Sequence, residues 1–254
     1  MTSERNVFVF SNNEEAAGFA VNKWMEIAAA SLTEKDYFTV AVSGGKTPVD
    51  LYKRLCVYKD TFSWEKTHIF LADERFVPAY DKDNNFGLIK QYLLKYIEIP
   101  DENLHTISTE GITLEQSAKK YEEDIRRFFH LGVDQFPDLD LIMLGIGEDG
   151  HTASLFPGTP PLGVTRRLAV PVTTDRVPHQ RISLTLPLLI NAKQIIFLVG
   201  GVNKAKILKE ILENGKGTLP AALVHRRSKT AYFVIDQGAA SLLSDRGRTN
   251  NEIL

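Results

Sequence analysis

Leu139-Asp-Leu-Ile-Met-Leu-Gly-Ile-Gly-Glu-Asp-Gly-His151-Thr-Ala-Ser-Leu-Phe-Pro-Gly158 carries an apolar run into a glycine-rich loop that ends in a histidine, with two carboxylates just before it. So short an apolar run reads as a buried strand ending at about Leu144. Open α/β sheets bind their ligands in the crevice beyond the carboxyl ends of the strands. His151 is therefore expected to project into a site.

Similar β-branched or aromatic runs lie at Val7–Phe10, Phe38–Val42, His68–Leu71, Leu168–Val172, Ile182–Leu186, Gln194–Val199 and Ala231–Ile235. Most are separated by helical periodicity, which predicts a largely parallel sheet. Ala16, Ala20, Trp24 and Ile27 form one apolar stripe; Leu114, Ala118, Tyr121, Ile125 and Phe128 form another, opened by a Thr113/Gln116 capping box. No repeat or linker divides the chain, so residues 1–254 are read as one domain. Three prolines and two glycines make Phe156–Arg167 a long site loop, and the polar tail from about Ser244 is expected to fray.

Composition narrows the function. A net charge of −2, with both signs spread along the chain, offers no basic stripe for nucleic acid. The first residues lack a signal pattern and no apolar run is long enough to cross a bilayer, so a soluble cytoplasmic protein is expected. The single cysteine, Cys56, reads as a buried small hydrophobe on a helical face beside Leu55.

Strand Phe38–Val42 runs into Ser43-Gly44-Gly45-Lys46-Thr47-Pro48 and then a helical pattern. Free N–H groups, glycines and two hydroxyls there would cradle an oxyanion. The alternative is an ordinary turn with Thr47 as N-cap and Pro48 at N1. The spacing is not that of a P-loop. Gly145-Ile-Gly147-Glu-Asp-Gly150 matches G-x-G-x-x-G, but Pro157, Pro160 and Pro161 leave no room for the helix a dinucleotide site needs. His151 is either a loop histidine bonded to a carbonyl or a general base, with Asp149 or Glu148 available to orient it. No His-Glu-x-x-His or paired cysteines point to a metal, and no G-x-S-x-G elbow supports Ser43 or Ser154 as an acyl nucleophile. Arg75, Arg181 and Lys204 stand at strand ends and could converge on one phosphate, while Asp73 and Glu74 could bridge to Arg75 or Lys46.

Five segments in order resemble the 6-phosphogluconolactonase family: Ser43–Pro48, Asp73-Glu-Arg-Phe-Val-Pro78, Gly145–Gly158, Arg181-Ile-Ser-Leu-Thr-Leu-Pro187 and Leu219-Pro-Ala-Ala-Leu-Val224. The resemblance spans nearly the whole chain. It implies a Rossmann-like three-layer α/β fold, a mostly parallel sheet with helices on both faces, shared with sugar-phosphate isomerases and CoA transferases. It also implies cofactor-free hydrolysis of the δ-lactone of 6-phosphogluconate. Residue by residue, the family's catalytic histidine falls on His151, with Asp149 beside it, and its phosphate site on Ser43, Gly44, Gly45, Lys46, Thr47, Arg181 and Lys204, with Arg75 close by. Asp73 falls where related deaminases keep a proton-shuttling aspartate. Two departures touch the rim of the site: Asp83-Asn-Asn85 replaces Asp-Ser-Asn, and Thr174-Asp-Arg-Val-Pro-His-Gln180 replaces a Pro-rich segment. The implied partner is a phosphosugar lactone, with neither nucleic acid nor membrane, and a monomer or weak homodimer is expected. A deaminase would place a glutamate soon after the histidine, where Leu155-Phe-Pro157 stands; a non-catalytic phosphosugar sensor would not need His151 with Asp149.

Overall fold

A computed structural model describes residues 6–214 and 217–244, so the amino-terminal reading and nearly all of the tail expected to fray lie outside the described residues. Its strands are β1 (Asn6–Phe10), β2 (Phe38–Val42), β3 (Thr67–Leu71), β4 (Asp73–Arg75), β5 (Leu104–His105), β6 (Leu141–Leu144), β7 (Ala169–Val172), β8 (Arg181–Leu184), β9 (Gln194–Val199) and β10 (Ala231–Asp236). The α-helices are α1 (Asn13–Lys35), α2 (Pro48–Leu55), α3 (Asn85–Tyr92), α4 (Leu114–Phe128), α5 (Leu186–Asn191), α6 (Ala205–Lys209), α7 (Pro220–Arg227) and α8 (Gln237–Ala240). No described helix is long and apolar enough to cross a membrane.

Seven strands form one parallel sheet in the order β1-β10-β9-β6-β2-β3-β5. Every residue of β2 and β6 is buried, the signature of strands covered on both faces by helices. The first stripe packs as expected: Ala16, Ala20, Trp24 and Ile27 of α1 are all buried, and Asn12 caps the helix by accepting from the Glu15 N–H. The Thr113/Gln116 capping box of α4 is present, and Ala118, Tyr121 and Ile125 are buried while Leu114 and Phe128 are half-buried against the core. Cys56 departs from expectation. It opens a 3₁₀ turn after α2, half-buried, where its thiol donates to the carbonyls of Tyr52 and Tyr92 at 3.2 Å each.

From β2 the chain steps to β3 and β5 on one side; from β6 it steps to β9 and β10 on the other. The order therefore reverses between β2 and β6, where a crevice opens at the carboxyl ends. The Ser43 and Gly145 loops leave from those two strands.

The run Leu168–Val172 and the run beginning at Ile182 do not join this sheet. They form β7 and β8 of a separate antiparallel sheet, β4-β8-β7, whose third member Asp73–Arg75 is too short and polar to read as a strand. Ala72 joins the two sheets, donating to Val42 O at 2.8 Å and accepting from Leu184 N at 2.9 Å.

Candidate active site

The loop after β6 is closed by two main-chain bonds, Gly150 N–H to Gly147 O and Gly147 N–H to His151 O, both 2.9 Å. Gly150 has φ +82°, a conformation only glycine adopts at low cost. This turn folds Asp149 back onto its neighbour but one: Asp149 Oδ1 lies 2.6 Å from His151 Nδ1 and accepts from the His151 N–H at 3.2 Å. Glu148 turns away and accepts from Asn203 Nδ2 at 2.7 Å. Burial raises the Asp149 carboxyl, but the charge and hydrogen bonds of His151 outweigh it and hold the group below its ordinary range. An ionised carboxylate only accepts, so Nδ1 carries the imidazole proton and Nε2 is left as an acceptor. The Phe156 ring packs 4.5 Å from the imidazole, and a Cβ on Gly147 would fall 2.0 Å from Nδ1.

The loop after β2 is pinned from behind. Tyr52 OH donates to Ser43 O at 2.6 Å and Ser43 Oγ donates to Met143 O at 3.1 Å. Pro48 does open α2, but the Thr47 side chain makes no capping bond, contrary to the N-cap reading: its backbone is already helical, at φ −60° and ψ −44°. Pro48 has no N–H and Val49 N–H turns back to Lys46 O at 3.3 Å, so it is the glycine loop ahead of the helix that faces the cavity.

Arg75 and Arg181 stand directly opposite each other on β4 and β8. Like charges so placed repel. Arg75 Nη1 donates to Asp83 O at 2.8 Å, and Arg181 Nη1 lies 3.4 Å from Ser154 Oγ and 3.9 Å from Asp73 Oδ2, yet both Nε groups are buried without a partner. An anion in the cavity, met by the two guanidiniums, would relieve the repulsion. Burial pulls the Arg181 guanidinium down, and Asp73 opposes it. Asp73 bridges neither to Arg75 nor to Lys46: it accepts from Ser154 Oγ at 2.6 Å and faces Arg181. Glu74 makes no side-chain bridge either, its carboxylate being bonded to backbone N–H groups.

Residues 43–47, Asp73, Arg75, His151, Arg181 and Lys204 line one cavity of about 460 Å³, with Asp149 behind His151. Asn85, Asn203 and Ala153 line it too; the sequence marks Asn85 only as part of a rim departure and gives Asn203 and Ala153 no role of their own. Ala153 holds a left-handed φ of +48°, strain of a kind found at functional sites. Asn85 comes from the rim segment Asp83-Asn-Asn85, whereas only the fold brings Asn203 here. The two rim departures are accommodated. Asn84 caps α3 by accepting from Gly87 N at 2.7 Å, and His179 Nε2 lies 3.1 Å from Asp83 Oδ2.

The family model described as glucosamine-6-phosphate isomerases/6-phosphogluconolactonase matches residues 11–233. The chain belongs to that family. A 6-phosphogluconolactonase of Rattus norvegicus is 35% identical over 244 residues, covering 94% of this chain and 93% of its own. One from Synechocystis is 36% identical over 214 residues, 84% of this chain and 88% of its own. The crystal structure of the Thermotoga maritima 6-phosphogluconolactonase superposes with a TM-score of 0.78 at 31% identity, covering 92% of this chain and all of that one. A monomeric glucosamine-6-phosphate deaminase, 22% identical, shares the fold with the same TM-score over 93% of this chain and 99% of its own.

Proposed function

We propose that this member of the family hydrolyses 6-phospho-D-glucono-1,5-lactone to 6-phospho-D-gluconate, with His151 as the proton-transfer group. One observation carries the reading: a histidine whose Nδ1 is held by a carboxylate at 2.6 Å shares a cavity with Lys46, Arg75, Arg181 and Lys204. The phosphate is anchored by the Ser43–Thr47 loop, Arg181 and Lys204, with Arg75 close by, which fixes the lactone carbonyl beside His151. Nε2 takes a proton from water as its oxygen bonds to C1 and the carbonyl electrons move to oxygen. Arg75 or loop N–H groups meet that oxyanion, and one such donor is commonly worth about 10²–10³ in rate. The C1–ring oxygen bond then breaks, and the proton on Nε2 passes to the departing oxygen, which restores the neutral imidazole.

The family relatives named 6-phosphogluconolactonase support the substrate. The isomerase or deaminase alternative needs a further acid beside the histidine, and here Leu155 and Phe156 present buried apolar side chains instead. A cytoplasmic setting goes with the substrate, since a phosphorylated sugar does not cross a bilayer unaided.

The test adds purified protein to freshly generated lactone and follows acid release above the spontaneous rate, with His151→Ala and a chelator-treated sample alongside. Fast release abolished in the variant and indifferent to chelation supports the reading. No acceleration rejects it and brings forward glucosamine 6-phosphate turnover or binding without turnover.

A further inference from the structure

Strand alternation places Asp73 and Arg75 on one face of β4 and Glu74 on the other. Glu74 has no exposed surface, and the three hydrogen bonds its carboxylate accepts all come from main-chain N–H groups. Oε1 accepts from Arg75 N and Asn85 N at 2.7 Å each, and Oε2 accepts from Phe86 N at 2.8 Å. Asn85 and Phe86 open α3, so one carboxylate ties that helix to the strand that carries Arg75.

The tie reaches the cavity twice. On one side it fixes the backbone of Arg75, whose Nε is buried and unpaired. On the other it fixes Asn85, which donates Nδ2 to Asp73 O at 2.9 Å and backs the glycine loop so closely that a Cβ on Gly44 would lie 1.9 Å from Asn85 Oδ1. A buried carboxylate is a costly way to join a strand to a helix. Guanidiniums that line an anion site need such rigid support.

We propose that Glu74 is a positioning residue for the anion-binding half of the site, holding Arg75 and, through Asn85, Gly44 at the spacing that receives the substrate's phosphate. This rests on the phosphosugar reading above. The ionised carboxylate accepts all three N–H groups as charge-assisted bonds; a proton on Oε2, the oxygen with a free acceptor site, removes that charge and weakens the tie. Burial pushes the carboxyl up to about 7 against the pull of those three bonds, and the nearby Asp73 adds to the rise. The other ionisable groups that sense Glu74 are Arg181 across the small sheet and Tyr121 on α4. The Glu74 group is therefore fully ionised only above neutrality.

The experiment compares wild type with Glu74→Gln in lactone hydrolysis from pH 6 to 8, with inhibition by inorganic phosphate measured in parallel. At pH 8 the variant should show KM and the phosphate inhibition constant raised about tenfold, the loss carried by KM rather than kcat. The KM ratio between the two proteins should shrink toward pH 6 as the wild-type carboxyl takes up its proton; the phosphate's own ionisation is common to both and cancels. Asn85→Ala, which leaves the buried carboxylate intact, should raise KM about threefold and serves if Glu74→Gln does not fold. A lower melting temperature with KM unchanged in either variant, or a KM ratio independent of pH, overturns the proposal. Failure of the wild type itself to hydrolyse the lactone or be inhibited by phosphate defeats the phosphosugar reading instead.

Discussion

Among the described residues His151 and His105 each hold a carboxylate on Nδ1 at nearly the same distance, His151 with Asp149 at 2.6 Å and His105 with Asp124 at 2.7 Å. They differ in what becomes of the other nitrogen. His105 lies on the edge strand β5, 7% exposed, stacked on Phe70 at 3.9 Å, with its Nε2 3.3 Å from His68 Nδ1. His151 lies at the strand-order reversal, 25% exposed, and among the described residues nothing is hydrogen-bonded to its Nε2. The same pair is a closed structural unit in one place and an open proton acceptor in the other. A histidine–carboxylate contact is thus not evidence of catalysis; the unspent nitrogen in a cavity is.

The sharpest way to break that comparison is to remove each imidazole. His151→Ala should cost about 10²–10⁴ in lactonase rate with the fold retained, measured by acid release and circular dichroism. Equal rates in variant and wild type would put the chemistry elsewhere. Gly147→Ala tests orientation alone, because its new methyl would meet His151 Nδ1 at 2.0 Å. Displacing the ring by about an ångström should cost about 10² in rate, and a fully active variant would mean that the Asp149 contact is dispensable. His105→Phe, by contrast, should leave turnover alone and lower stability by about 1–2 kcal/mol in urea unfolding, since it removes the bonds to Asp124 and to His68 Nδ1.

The smallest effect is proton-linked. Burial first, then the charges of His105 and Lys35, push His68 down to about 4 from an ordinary 6.5. The unfolded chain therefore binds more protons between those values, so stability is full above about pH 6.5 and falls as pH drops toward 4. Solvent screening of this half-buried ring reduces the loss at pH 5 to about 1 kcal/mol, and His68→Phe should remove most of that slope. An identical slope in the variant would assign the acid sensitivity to other groups.

Burial and periodicity made much of the fold legible. Strands β2 and β9 fall on the residues their apolar runs mark, and the α4 capping box is written in Thr113 and Gln116. Glycine-rich strand ends marked the two loops of the site. Strand β4 was illegible because three residues, two of them carboxylates, carry no period, and its partner β8 lies over 100 residues away. Asn203, and the supporting contacts of Asn85 and Glu74, are not legible for a related reason: each acts through a contact outside its own segment.

By itself the sequence determined the α/β class, the largely parallel sheet and the two glycine-rich segments that line the cavity, because apolar periodicity and glycine or proline constraints act within a few residues. Only the tertiary structure decided that Asp149 rather than Glu148 or Asp73 holds His151, that Arg75 faces Arg181, and that two of the expected strands form a second sheet. Those outcomes depend on a glycine turn at positive φ and on pairing between distant strands. Neither is specified by local hydrophobic pattern.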